Sequence, residues 1–183
     1  MCPRLLKSNQ KLSTTLEYFT YYDNKNYDLT RNDIWLRERN NQFELKVSKN
    51  RNVERSVDQY NEIEDEEEIK KYLKINSKNP LSIGLKKSGY SLFCKLKTIR
   101  SKYKIDFFTV DIDEVTSDGF FYGLAEIELM TDGNIEEAAE KILEFAKGKN
   151  LQTDIHTRGK VVEYIRQKRP KHFRILIEAG VVK

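Results

Sequence analysis

Cysteine, proline and histidine are scarce in this chain, and no long apolar run occurs. Two cysteines in 183 residues, Cys2 and Cys94, cannot build a disulfide framework, and they form no zinc-ligand spacing. The two histidines, His156 and His172, lack the Ser, Cys or carboxylate neighbours of a nucleophilic triad, so both are expected at the surface. No stretch approaches the roughly 18 consecutive apolar residues of a spanning helix. Residues 1–12, broken by Pro3, Arg4, Lys7 and Lys11, have no signal-peptide core. The expectation is a soluble cytoplasmic chain in a reducing compartment, with no membrane partner. Charge of one sign is lacking too: 33 basic against 29 acidic residues leave a net charge of +4, which points to no particular partner. There is no internal repeat or low-complexity tract, and the three prolines (Pro3, Pro80, Pro170) fall where elements would end.

Aromatic residues are plentiful. Ten Tyr, nine Phe and Trp35 give the chain enough large apolar surface for a core, so global disorder is excluded despite 34% charged residues. The length fits one domain, 1–183. Basic residues concentrate at the C-terminal end, where 154–183 hold eight bases and three acids. Residues 16–23 read as a strand, and 34–39 with 43–49 as a hairpin across Asn40-Asn41-Gln42. Asp65 caps a helix whose first turn holds Glu66, Glu67 and Glu68 and whose inner stripe is Ile69, Tyr72 and Leu73. Pro80 opens a second short helix that ends before Gly89. Strand patterns follow at 92–100, 102–108, 109–115 and 122–130, an antiparallel meander. Amphipathic helices are predicted at 135–147, 160–168 and 173–179. The class is α+β with an antiparallel sheet.

Alternation sorts the strand residues by face. Trp35, Arg37 and Arg39 share one face, with Leu36 opposite. Glu44 and Lys46 oppose Phe43, Leu45 and Val47. Thr109, Asp111 and Asp113 oppose Phe108, Val110 and Ile112, and Glu126 with Glu128 oppose Ala125, Ile127 and Leu129. Solvated polar faces would explain each strand singly. As a set, the acids are hard oxygen ligands suited to Mg²⁺ or Mn²⁺, and the paired arginines suit bidentate phosphate contacts. Converging faces would make a site for a metal-bound polyphosphate.

The successive segments Tyr21-Tyr22-Asp23, Ile34-Trp35-Leu36-Arg37-Glu38-Arg39, Phe43-Glu44-Leu45-Lys46, Thr98-Ile99-Arg100, Val110-Asp111-Ile112-Asp113 and Ala125-Glu126-Ile127-Glu128-Leu129 resemble, in order, the motifs of the CYTH superfamily, the triphosphate tunnel metalloenzymes. Gly159-Lys160-Val161-Val162-Glu163-Tyr164-Ile165 and Arg169-Pro170-Lys171-His172-Phe173 resemble the C-terminal helices of animal thiamine triphosphatases. The resemblance implies an antiparallel β-barrel tunnel with flanking and C-terminal helices. It implies Arg37, Arg39, Lys46, Arg100 and Lys160 as phosphate ligands, with Lys46, Arg100 and Lys160 in the catalytic role. Asp111, Asp113, Glu126 and Glu128 would hold Mg²⁺, or Mn²⁺ in its place. Tyr21 would contact the terminal phosphate, and Trp35 would pack against the thiamine moiety. The family's opening Glu-x-Glu-x-Lys strand has no counterpart in residues 1–11, so the chain reads as N-terminally shortened.

The implied activity is Mg²⁺-dependent hydrolysis of thiamine triphosphate to thiamine diphosphate and phosphate by a monomer. Two alternatives stand beside it. One is a broader tunnel phosphohydrolase acting on inorganic triphosphate or nucleotides. The other is a non-catalytic module for phosphorylated ligands or RNA, which gains from the absent strand; nucleic acid is otherwise not an expected partner.

Overall fold

The computed structural model describes residues 9–49, 60–76, 78–131, 133–151 and 157–182. The segment 1–8, with Cys2, and His156 lie outside the described residues. In chain order the elements are β1 (Asn9–Asn24), a 3₁₀ turn (Thr30–Asn32), β2 (Ile34–Arg39), β3 (Gln42–Ser48), β4 (Tyr60–Ile63), α1 (Glu66–Tyr72) and α2 (Leu81–Lys87). They continue with β5 (Tyr90–Ile105), β6 (Phe108–Ser117), β7 (Phe120–Glu128), α3 (Ile135–Gly148), α4 (Lys160–Lys168) and α5 (Pro170–Glu178). The fold is α+β: a seven-stranded antiparallel sheet, in the order β4-β3-β2-β1-β5-β6-β7, accompanied by helices. No helix among the described residues is long and apolar enough to cross a membrane.

The chain divides into two compact units. One comprises 17–97 with 161–183, the other 1–16 with 98–160.

In the first unit, Asn40 and Asn41 both take left-handed backbone (φ 50° and 71°), which gives the β2–β3 hairpin the twist of a two-residue turn. That turn fixes the register, pairing Arg39 with Gln42, Arg37 with Glu44, Leu36 with Leu45 and Trp35 with Lys46. Leu36 and Leu45 are buried in a core with Leu29, Phe43 and Ile75, with Ile69 of α1, and with Leu81 and Leu85 of α2. Burying each such side chain is worth roughly 1.5–3 kcal/mol, enough to decide which strand face meets the helices. The face bearing Trp35, Arg37 and Arg39 is therefore turned the other way. Helix α1 begins as its sequence predicts, with Asp65 Oδ1 accepting the Glu68 N–H at 2.9 Å. Of its expected inner stripe Ile69 is fully buried, whereas Tyr72 is 42% exposed.

The second unit departs further from sequence expectation. The runs 92–100 and 102–108 form one continuous strand, β5, because nothing in Ser101 breaks the ladder. The reversal comes at Asp106-Phe107, where Asp106 adopts φ 54°. β6 and β7 pair from Thr109 with Glu128 through Ser117 with Phe120, and Gly119 (φ 59°) supplies the left-handed turn residue. Helix α3 is capped by Asn134, whose Oδ1 accepts the N–H of Glu136 at 2.8 Å. Its end is not at Gly148, which stays helical; Asn150, at φ 57°, takes the left-handed position. Phe108 stacks on Phe145 of α3 with centroids 4.2 Å apart.

Candidate functional site

In the first unit the strand register assembles a polar cluster. Tyr21 pairs with Arg37 and Phe19 with Arg39 on β1–β2, while Arg37 pairs with Glu44 on β2–β3, so these side chains share one face. Glu44 is 1% exposed and serves two guanidiniums. Arg37 donates to its Oε2 from Nε at 2.6 Å and lies at the same distance through Nη2, and Arg39 Nη2 meets Oε1 at 2.5 Å. The Phe19 ring adds a cation–π contact, 5.1 Å from the Arg37 guanidinium carbon. Burial would pull the Arg37 pKa down, but Tyr21 and Glu44 reverse this and hold the group firmly protonated. Lys46 pairs with Glu62 of β4 at 2.7 Å, and this contact lowers the Glu62 pKa against the opposing effect of its burial. Tyr21, Arg37, Arg39 and Lys46 are thus on neighbouring positions of one face.

Trp35 lies on that face but is 6% exposed, and its indole N–H donates to Asp33 Oδ1 at 2.9 Å. Asp33 Oδ1 also accepts from the Tyr60 hydroxyl at 3.0 Å. The ring expected to meet a thiamine moiety is an interior group held by hydrogen bond.

In the second unit Asp111 pairs with Glu126 across β6–β7, and Arg100 of β5 reaches three carboxylates. Its Nη1 lies 2.7 Å from Asp111 Oδ2. Its Nε and Nη2 donate to Asp113 at 2.7 and 2.8 Å, and Nη2 also reaches Glu126 Oε2 at 2.9 Å. Lys160, the first residue of α4, donates to Asp113 Oδ2 at 2.9 Å, and Lys102 stands 3.5 Å from Asp111 Oδ2. Alternation predicted these residues on one face, with Ile112 opposite. The buried side is the charged one: Asp111 is 0% and Asp113 1% exposed, whereas Ile112 is 44% exposed. Burial alone would raise the Asp113 pKa, but Arg100 and Lys160 outweigh it and hold the carboxyl below its ordinary value. For Lys160 burial is the larger influence and draws the ammonium below its usual pKa, with Asp113 opposing. The Tyr122 hydroxyl donates to the Arg158 carbonyl at 2.8 Å, tying the segment before Lys160 to β7.

The metal expectation meets a different arrangement. Among the described residues no group of three or more His, Cys, Asp or Glu side chains is placed to hold a metal ion. Asp111, Asp113 and Glu126 close on Arg100, and Glu128 is exposed at the end of β7. These acids have the right donor chemistry, yet in this arrangement they do not fit a divalent cation.

His172, expected at the surface, is 1% exposed. Its Nε2 lies 2.7 Å from Thr30 Oγ1, which donates to Asp23 Oδ2 at 2.7 Å, so Nε2–H is the donor to Thr30. Tyr27 stacks on the ring at 4.1 Å and Phe93 meets it edge-on at 5.0 Å. Glu44, Glu62 and Lys102 were not singled out as site residues. Glu44 meets Arg37 because Gln42, expected in the turn, instead opens β3 and pairs with Arg39; Glu62 and Lys102 depend on neighbours that no local pattern signals.

A family model described as the CYTH domain matches residues 4–159. Solved structures give the same fold. The PH1819 protein of Pyrococcus horikoshii OT3 is 22% identical, with 89% of each chain covered and a TM-score of 0.56. A conserved protein of Pyrococcus furiosus is 21% identical, with 83% of this chain and 84% of that one covered and a TM-score of 0.54. HpAC1 of Hippeastrum, described as having a dominant triphosphatase activity, is 18% identical, with 86% and 85% covered and a TM-score of 0.55. Among curated proteins no sequence match is found.

Proposed function

We propose, since the chain belongs to the CYTH domain family, that it binds a triphosphate through its phosphates and hydrolyses the terminal phosphoanhydride. The observation that carries this reading is the set Arg37, Arg39 and Lys46 on the strand face opposite the apolar core, with both arginines oriented by buried Glu44. A guanidinium has five N–H donors; Arg37 spends two on Glu44 and is also hydrogen-bonded to Tyr21. The remaining donors of Arg37 and Arg39 form a fixed fork for phosphate oxygens, and Lys46 adds a point charge.

Phosphoryl transfer asks the protein mainly for positioning and charge stabilisation. Arg37, Arg39 and Lys46 would hold the phosphate chain, and Tyr21, beside Arg37, would offer its hydroxyl to the same oxygens. No covalent intermediate is required. The family is typically metal-dependent.

Thiamine triphosphate rests on the likeness of 159–173 to thiamine triphosphatases. The burial of Trp35 favours recognition by the phosphates alone, and the triphosphatase activity described for HpAC1 agrees with a simpler substrate. The test is binding and phosphate release for the full chain with tripolyphosphate, thiamine triphosphate and ATP, each with Mg²⁺ and with Mn²⁺. Tripolyphosphate is expected to bind and release phosphate, and Arg37→Lys to weaken binding by about tenfold through loss of the fork. Absence of affinity for every triphosphate overturns the reading. Tight binding without release transfers the chain to the non-catalytic binding class.

A further inference from the structure

We infer that the cleft bounded by the β5–β6 turn, the end of β7 and the start of α3 binds a small amphipathic monoanion, an aliphatic or aromatic carboxylate with a body of roughly ten carbons. This goes beyond the proposed triphosphatase activity and stands or falls without it. The cleft is lined wholly by residues of the second unit, and its volume is about 540 Å³. Small-molecule sites hold roughly 300–1,000 Å³. A helix about 10 Å across fills roughly 400 Å³ per turn, so the cleft would take little more than one turn, too little for a folded partner.

Its apolar lining is Phe107, Phe108, Leu129, Met130 and Ala138. The fold itself accounts for part of this: Phe108 stacks on Phe145, and Ala138 is buried. It does not account for Phe107 and Met130, which are 82% and 91% exposed. The turn requires left-handed backbone at Asp106 alone, so a ring at the next position contributes nothing to it. Two large apolar side chains left in water beside one concavity gain only when something apolar is laid against them.

Charge selects the other end of the ligand. The ionisable side chains of the lining are Lys104, Glu137 and Lys141. Lys141 pairs with Glu137 at 2.6 Å, and the two charges cancel. Lys104 Nζ donates to the neutral Phe107 carbonyl at 3.1 Å, and among the described residues no carboxylate pairs with it. Glu128 precedes Leu129 on β7 but does not line the cleft. An ammonium carries three donors, so Lys104 keeps its charge and two N–H groups, held beside the Phe107 ring. A neutral hydrocarbon would leave that charge unmatched, and a polyphosphate would leave the apolar lining unmatched. A monoanion with an apolar body matches both.

Decanoate, decanol and butyrate are titrated by calorimetry into the full chain as the parent, as Lys104→Met, and as Phe107→Ser combined with Met130→Ser. The parent should bind decanoate about tenfold tighter than decanol, and butyrate about tenfold or more weaker than decanoate. Lys104→Met, which keeps the length of the side chain and removes its charge, should bring decanoate to within about twofold of decanol. The double variant should lose about tenfold for decanoate and decanol alike. Phe107 and Met130 are exposed, so this variant should fold as the parent does, which its ligand-free thermal midpoint checks. If a variant does not fold, the parent's ranking of the three probes decides. No decanoate affinity in the parent overturns the inference, as does equal affinity for decanoate and decanol or for decanoate and butyrate. Decanoate binding unchanged in folded Lys104→Met or in the folded double variant also overturns it. Binding to phosphatidylserine vesicles without affinity for free decanoate would overturn it too and assign Phe107 and Met130 to a lipid surface. Failure of tripolyphosphate to bind the parent would remove the triphosphatase reading and leave this result untouched.

Discussion

Arg37 and Glu44 stand opposite each other on β2 and β3, and two nitrogens of the guanidinium, Nε and Nη2, meet the same carboxylate oxygen at 2.6 Å. Sharing one oxygen leaves Oε1 to Arg39, so a single buried acid fixes two arginines. Glu44→Ala should therefore cost about 3 kcal/mol in urea denaturation, since it leaves two cations at a partly buried site without their counter-charge. Glu44→Gln, which keeps an acceptor, should lose less. An alanine variant as stable as the parent would show that the pair contributes no net stability.

Trp35 should behave as a core residue. Trp35→Ala is expected to destabilise the chain by about 3–5 kcal/mol, and Trp35→Phe by less, with the Asp33 carboxylate losing one of its donors. Any loss of affinity should be equal for thiamine triphosphate and tripolyphosphate. A selective loss for thiamine triphosphate would restore the aromatic-platform reading drawn from the sequence.

His172 should make stability fall on mild acidification. Burial, with Arg169 adding, pulls its pKa from 6.5 down to about 4, so the folded chain keeps it neutral while the unfolded chain takes a proton. The contribution is complete above about pH 6.5 and is lost between about pH 6.5 and 4, by up to roughly 3 kcal/mol. Asp23, two hydrogen bonds away, has a pKa raised by burial above 3.8 and so opposes the trend at the acidic end of that window. Denaturation of the parent and of His172→Phe across this range tests it. The slope should flatten in the variant; matching slopes would place the titrating group elsewhere.

Lys160 and Asp113 should be energetically coupled. Their bond is buried, and Arg100 shares the carboxylate. A double-mutant cycle with Lys160→Met and Asp113→Asn should return a coupling of about 1 kcal/mol or more in thermal or urea unfolding. Additive effects would mean that Arg100 alone satisfies Asp113.

Much of the local architecture was legible in the residues. A hairpin at Asn40-Asn41 was legible, but its register was not: the sequence assigns Gln42 to the turn as well, whereas Gln42 opens β3 and pairs with Arg39, which sets Arg37 opposite Glu44. Asp65 ahead of three glutamates specifies the start of α1. Alternation correctly grouped Arg37 with Arg39, Asp111 with Asp113, and Glu126 with Glu128. These follow because turn geometry, capping and pleat are short-range properties. The continuity of β5 through Ser101 and the short β4 were not legible, since a strand's extent depends on what pairs beside it.

Alternation divides a strand into two faces without saying which is interior. On β2 and β3 the helices α1 and α2 cover the leucines, and on β6 the acids are buried while Ile112 faces solvent. His172 and Trp35 are in unexpected places too: His172 meets Thr30 only once distant segments have packed, while Trp35 bonds Asp33 two residues away and is buried by the packing around it. Strand alternation settles which chemical groups share a face. Tertiary structure alone decided that the charged faces are buried, because the desolvation of Asp111, Asp113 and Glu44 is tolerated only where Arg100, Lys160, Arg37 and Arg39 arrive from other strands and from α4 to meet them.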